Sequence, residues 1–468
     1  MTSTLDPPAT ESDSPSRPSR LILVTLALSC SLVAVQQTLV IPLLPALMRE
    51  FDASVASVTW VFTASLLAGA VATPLLSRFG DMYGKKPLIL IILGTLLAGS
   101  VLCALAPSLG VLFAGRAVQG VSVALFPLAV GVIRDLLPAA RVMSAIGFVS
   151  ATMGIGGTLG MLITGLLATT TSHHAPVFWV AAGLSVLCLA LVARCVPSGG
   201  VGHGGRPDYP GAVLTALMLL CLLLAISQGN AWGWTSGRIL GLFAATAVLC
   251  VCWTLTEMKV PDPLVRLSLL TGPKSLSANL MSLLLGFSMY SSFTLISSLI
   301  QTPTSEGYGL GGSVLDVGLY SLPSTVTMFY ASTYSGRLAA RTGPAFALAL
   351  GSLPAGGSYL WLALSNSDGF DFLAYGALQG VGFGIAYAAL GTLAVEHVPM
   401  DQSGIASGVN SLVRTAGGAV AGAVVAAILT GGGTVTTLDD YVLCFFIVAG
   451  AAWLSGAVAL FHGIRHRR

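Results

Sequence analysis

Two arginines of this chain lie where an arginine is costly. Arg116 and Arg414 each fall inside a long apolar run, and a guanidinium in hydrocarbon costs about 2.5 kcal/mol or more unless it faces a cavity or a partner. Amides accompany both: Gln119 follows Arg116 by three residues, Asn410 precedes Arg414 by four, and Gln36 and Gln37 interrupt the first apolar run. The four-residue spacing sets Asn410 and Arg414 on one helical face. Together these side chains predict a cationic central cavity with neutral donors and acceptors. Such a field favours anionic or polar neutral cargo and opposes lipophilic cations. Two plainer readings compete: Arg116 bonds only neighbouring backbone carbonyls, and Arg414 pairs with a group at the lipid or cytoplasmic side.

Other chemistry is thin. The carboxylates fall at run edges or in loops, with Asp81, Asp135, Glu257 and Glu396 toward one end and Glu306, Asp316, Asp368 and Asp371 toward the other. The six histidines lie in loops or at run ends, which argues against the convergent set an enzyme needs. The eight cysteines show no CxxC or Cys/His ligand spacing, so no metal centre is expected and their role is small apolar packing. No GxxxxGK[ST] loop offers direct use of ATP. An aromatic and methionine group, Phe287, Met289, Tyr290, Phe293, Tyr320, Met328 and Phe329, could wall an adaptable binding site or serve ordinary packing; Tyr290 and Tyr320 are favoured for their hydroxyls.

The elements that must position these residues are membrane helices. Composition is 55% hydrophobic and 8% charged with mean hydropathy +0.88, too apolar for a water-soluble chain of 468 residues. Fourteen apolar stretches are each long enough to cross a bilayer: 21-45, 54-77, 87-106, 111-133, 142-168, 177-196, 210-228, 238-256, 277-300, 315-335, 345-364, 372-394, 404-429 and 441-462. Backbone in lipid must pair internally, and runs this continuous do so as helices. The fold class is therefore an all-α polytopic membrane protein with 14 transmembrane helices. Lys and Arg gather in every second loop, which makes those loops and both termini cytoplasmic. The net charge of +3 reflects that bias and implies no nucleic-acid partner. Residues 1-20, rich in Ser, Thr, Pro and acids, read as a disordered tail. The first run lacks an AxA-like cleavage site and reads as a retained span.

An internal repeat divides the chain. Ala117-Val118-Gln119-Gly120-Val121 returns as Ala377-Leu378-Gln379-Gly380-Val381, the loop Arg78 to Gly84 has an echo in Arg337 to Gly343, and Gly156-Gly157 returns as Gly417-Gly418. The reading is an N-terminal six-helix half at 21-196, two inserted spans with their loops at 197-275, a C-terminal six-helix half at 276-462 and a tail at 463-468. Paired helical halves around a midplane cavity are how many secondary transporters are built.

These residues resemble the major facilitator superfamily, and within it the 14-span drug:proton antiporters. The loop Arg78-Phe79-Gly80-Asp81-Met82-Tyr83-Gly84-Lys85-Lys86 is similar to the family's GxLxDRxGRK loop, with Ser77 at the place of its first Gly. There Gly84 permits a tight turn, and Asp81 can accept hydrogen bonds from a neighbouring helix N-terminus and latch one conformation. Arg116-Ala117-Val118-Gln119-Gly120 looks like the RxxQG motif, whose Arg the family associates with proton coupling. Gly154 to Gly160 is similar to the antiporter Gly-Pro motif, with Gly156, Gly157 and Gly160 as small contact residues and Gly157 where Pro is usual. Many relatives carry an acid in the first span where this chain has Gln36, an amide that carries no proton at physiological pH. Asp135 and Glu396 remain as candidate proton carriers, or as simple helix-end charges. The resemblance implies export of a small organic compound, such as an antibiotic or secondary metabolite, from a bacterial cell across the plasma membrane. Protons would drive it by alternating access in a monomer whose partners are substrate, protons and lipid, without a cofactor. The cationic cavity supports an alternative, a carrier of an anionic metabolite.

Overall fold

A computed structural model describes residues 17-40, 43-53, 55-168, 173-197, 208-260, 272-396, 398, 403-431 and 436-465. Among them the chain is helical, with no strand. In chain order the helices are α1 (Arg17–Thr38), α2 (Leu44–Glu50), α3 (Val55–Tyr83), α4 (Lys85–Ala104), α5 (Leu109–Gly120), α6 (Leu125–Leu136), α7 (Ala139–Ala168), α8 (Ala175–Cys195), α9 (Tyr209–Trp232) and α10 (Gly237–Glu257). There follow α11 (Pro273–Gln301), α12 (Val314–Tyr320), α13 (Leu322–Thr342), α14 (Pro344–Leu364), α15 (Gly369–Glu396), α16 (Ser403–Gly431) and α17 (Leu438–Arg465).

Among the described residues, thirteen helical segments are long and apolar enough to cross a membrane, one fewer than the fourteen expected. The stretch 315-335 accounts for the difference. It breaks at Ser321 into α12 and α13, and α13 carries Ser324, Thr325, Thr327, Ser332 and Ser335, which lower its hydropathy. Protein covers that polar face. Thr327 donates to the Ala377 carbonyl at 3.0 Å, Ser324 to Gln379 at 3.1 Å, Ser332 to the Gly147 carbonyl, and Thr325 meets Thr158. Hydropathy counts these hydroxyls as if they faced lipid. The expected single span 111-133 is likewise subdivided, as α5 and α6 joined by a 3-10 turn at Val121–Ala124.

Local signals set the helix ends. Gly84, φ +97°, closes the α3–α4 corner, and Gly343, φ +89°, closes the α13–α14 corner at the matching place in the repeat. Left-handed and related conformations at both corners suit glycine alone among common residues. Asp208 caps α9 by accepting from Gly211 N at 2.9 Å, and Ser313 with Asp316 forms a capping box on α12.

Two large apolar clusters form the interior. One draws on α1, α4, α6, α7 and α8 around Ile89, Leu93, Leu128 and Ile146; the other on α11, α14, α15 and α17 around Leu285, Tyr359, Phe372 and Phe445. Helix α9 packs on α10 and also touches α3 and α16, where Ala212, Trp253, Ile405 and Val409 make a small cluster. Helix α10 buries little of itself and presents Leu240, Val248, Val251 and Leu255 outward.

Candidate functional site

Arg116 is fully buried on α5. Its Nε donates to the Val61 carbonyl of α3 at 3.0 Å, and one terminal nitrogen donates to the Gln36 carbonyl of α1 at 3.1 Å and to Gln119 Oε1 at 2.9 Å. Gln119 extends the network: its amide nitrogen donates to Ser100 of α4 at 2.8 Å, and its oxygen also accepts from Gln36 Nε2 at 3.1 Å. Three residues separate Arg116 from Gln119, so one helix face presents both to the α1–α3–α4 junction. Among the described residues no carboxylate makes an ion pair with either Arg116 or Arg414. Two backbone carbonyls and the Gln119 amide oxygen hold the Arg116 charge. Its second terminal nitrogen and Gln36 Oε1 are buried without a hydrogen-bond partner, so the network is polar, tight and incompletely satisfied.

The two arginines have no hydrogen-bond or ring partner in common among the described residues. Arg414, half-buried on α16, runs its stem past Gly286 of α11 and sets its guanidinium over the rings of Phe126 at 5.7 Å and Tyr387 at 5.3 Å. Its hydrogen bond is local, to Ser411 Oγ at 3.2 Å. Phe126 belongs to α6 and Tyr387 to α15, so this cation joins the first group of helices to the second. Asn410 shares the α11-facing side of α16 but is committed to packing: it accepts from Ser282 at 3.1 Å and donates to the Ala278 carbonyl at 3.3 Å. Gln36 sits in the Arg116 network, and Gln37 is half-buried beside it on α1.

At the Lys- and Arg-rich end a second constellation crosses between helix groups. Asp81, buried at the end of α3, accepts from the backbone N of Ile405 in the first turn of α16 at 3.1 Å, where exposed amides and the helix dipole favour an anion. Lys85 lies 3.7 Å from Asp81 and donates to Asp135 at 2.6 Å. Arg134, beside Asp135, donates across to the Val398 carbonyl at 2.8 Å. Gly408 lies against Ser77 so closely that a Cβ would collide.

The Major Facilitator Superfamily family model matches residues 26–422. The chain belongs to the major facilitator superfamily. This facilitator is 28% identical over 415 residues to the tetracenomycin C resistance and export protein of Streptomyces glaucescens, covering 87% of this chain and 75% of that one. It is 26% identical over 416 residues to the multidrug resistance protein Stp of Mycobacterium tuberculosis, with 88% and 76% covered. Its fold matches the crystal structure of the human organic anion transporter MFSD10 (TETRAN) with a TM-score of 0.70 at 16% identity, covering 95% of this chain and 100% of that one. With its many apolar helices, this facilitator is a multi-pass membrane protein.

The remaining motif residues of this facilitator fall into distinct settings. On α7, Gly156 and Gly160 let α1 approach until a Cβ would strike the carbonyls of Ser31 and Val35, whereas a Cβ at Gly157 would meet only Thr38 Cγ2 at 3.6 Å. The Gly157 carbonyl accepts from Thr38 Oγ1 at 2.7 Å. Asp135 is engaged by Lys85 at the surface, and Glu396 is exposed at the end of α15. Tyr290 packs on Gly418 and Phe293, on the α11–α16 side near Arg414. Tyr320 instead closes the end of α12 against Phe372 at 5.9 Å.

Sequence reading missed a second polar network, on the repeat counterpart of Gln119. Gln379 Nε2 donates to Ser292 at 2.7 Å and to the hydroxyls of Tyr359 and Tyr375, while its oxygen accepts from Ser324. Tyr375 stands one residue before the position that the repeat aligns with Arg116. The second half thus answers a cation with neutral phenols. The signal in the sequence is the repeated Gln-Gly pair; the partners of Gln379 lie on other helices and leave no pattern along the chain.

Proposed function

We propose that this protein exports a small organic compound across the bacterial plasma membrane in exchange for protons, by alternating access. The observation that carries the reading is the link at the basic end: Asp81 on the α16 N-terminus and Arg134 on Val398 tie the two helix groups together there. With that end taken as cytoplasmic by its positive charge, the link shuts the cytoplasmic side and defines one of the two states such a carrier needs. The resistance and export relatives support the outward direction. In this reading α13 is the fourteenth span, both termini are cytoplasmic, α9 and α10 are inserted between two six-helix halves, and the chain works as a monomer without a cofactor or catalytic role. The test is accumulation of a cargo panel, cationic dyes beside anionic and neutral antibiotics, in efflux-deficient bacteria expressing the protein. Lower accumulation that a protonophore reverses is the expected result; raised or unaltered accumulation contradicts export.

Arg414 supports a second reading, in which the cargo is anionic. A cation between two rings, with no carboxylate paired to it, attracts a negative group on an aromatic body and repels a lipophilic cation. Cationic dyes as the best cargo, with transport intact in Arg414→Ala, would exclude it.

A further inference from the structure

At the end opposite the latch, three titratable groups from two segments converge. Glu50 closes α2, and His173 and His174 precede α8. His174 Nδ1 lies 2.9 Å from Glu50 Oε1, its backbone N donates to Glu50 Oε2 at 3.1 Å, and His173 Nδ1 lies 3.2 Å from Oε1. The His174 side chain is only 6% exposed, while that of His173 is 72% exposed. The rings of Phe51 and Phe178 pack on His174. Its Nε2 meets the Cys103 carbonyl at 3.1 Å.

The partners fix one ring nitrogen of His174 and leave the other open. A carbonyl oxygen only accepts, so Nε2 carries hydrogen. Nδ1 is buried without a hydrogen-bond partner 2.9 Å from a Glu50 carboxylate oxygen, a place where a proton would be met by an opposite charge. Burial raises the Glu50 carboxyl, but contacts with His174 and His173 outweigh it and hold it below its ordinary value. Arg49 and Asp52, its chain neighbours, are exposed. The first turns of α3, α5 and α8, the 105-108 loop and the end of α1 offer no other titratable side chain.

From Cys103 the contact continues inward. Its Sγ lies 3.8 Å from Gln119 Oε1, the same oxygen that accepts from Arg116 and Gln36. A line of polar contacts thus runs from exposed His173 through Glu50, His174 and Cys103 to the buried arginine network. Asp135 and Glu396 lie at the other end of the molecule, and Gln36 carries no proton.

We propose that Glu50 and His174 form the extracytoplasmic proton-loading site of this carrier, with Cys103 linking its protonation to the Arg116 network. The proposal rests on the antiport reading. Loading binds a proton from outside water to His174 Nδ1 and completes the ion pair. Unloading leaves Nδ1 uncharged beside a carboxylate and weakens the contact between α2 and the start of α8, which the His174 backbone N still holds.

The full chain in liposomes tests this, with ethidium and tetracenomycin C as probes, an acid extracytoplasmic side as driving force, and infrared spectra of histidine titration read in parallel. Glu50→Gln is expected to lose about tenfold of gradient-driven movement, within the range of ordinary coupling energies, while keeping probe exchange at equal pH. It is also expected to change the histidine titration that the infrared spectra read. Gradient-driven movement equal to wild type overturns the site. If wild type moves neither probe along the gradient, antiport itself fails, and the infrared arm still judges the pair: unchanged histidine titration in Glu50→Gln overturns it. If Glu50→Gln does not assemble, His174→Asn serves the same two readouts.

Discussion

A buried arginine without an acid is held by everything around it, so its removal exposes several debts at once. Arg116→Ala removes the charged donor from the carbonyls of Val61 and Gln36, and each such hydrogen bond is worth about 1.5 to 3 kcal/mol. Transport is expected to cease and thermal stability to fall. Arg116→Lys should recover little, since one ammonium on a flexible stem cannot reproduce the fork that reaches three acceptors. Melting curves and accumulation assays on both variants check this; full activity in Arg116→Lys would show that charge alone matters. Glu50 adds a pH dependence. Its carboxyl is depressed by the two histidines, so its contribution is present above the unfolded value of 4.5 and is lost as pH falls through the lower folded value. Melting temperature should drop on acidification below that range in wild type and much less steeply in Glu50→Gln. Arg116 and Gln119 were legible in sequence because polar groups in an apolar run must be accounted for. The Glu50–His174 pair was not, because both residues fall between the apolar runs, in stretches that read as solvated, and meet across 124 positions.

Between elements, close approach decides more than polarity. Helix association in lipid relies on packing of small residues, and α7 against α1 shows which of its glycines matter. Gly156→Ala forces a Cβ onto the Ser31 backbone and should destabilise the protein by about 1 to 3 kcal/mol, as overpacking does. Gly157→Ala has space at 3.6 Å and should be tolerated. Comparative thermal unfolding in detergent separates the two, and equal loss in both would refute the packing account. The sequence signalled this segment as a degenerate motif without ranking its glycines, because helical register against a neighbour is a tertiary property. For the same reason hydropathy could not see that the hydroxyls of α13 face α7 and α15, nor that Ser321 divides the stretch.

For the molecule as a whole, the link at the basic end is the conformational lever of the proposed exchange. Asp81→Ala removes the acceptor for Ile405 N and the anion at the α16 N-terminus, and should shift the population toward a state open at that end. A cysteine placed at Ser77 should then label faster with a membrane-impermeant thiol reagent from the cytoplasmic side than in the unaltered background; unchanged labelling would deny the latch. The repeated motifs, the alternating charge and the Asp81 loop are legible in sequence, since each is a pattern along one chain. The partner of Asp81 was not, because Ile405 contributes only a backbone N. The central claim is exchange of cargo for protons. It is tested most directly in everted membrane vesicles energised to an acid interior, by recording internal pH while tetracenomycin C or ethidium is added outside. The account predicts that an accepted cargo raises internal pH in vesicles with wild type and fails to do so with Arg116→Ala. Cargo accumulation with no movement of protons would contradict it.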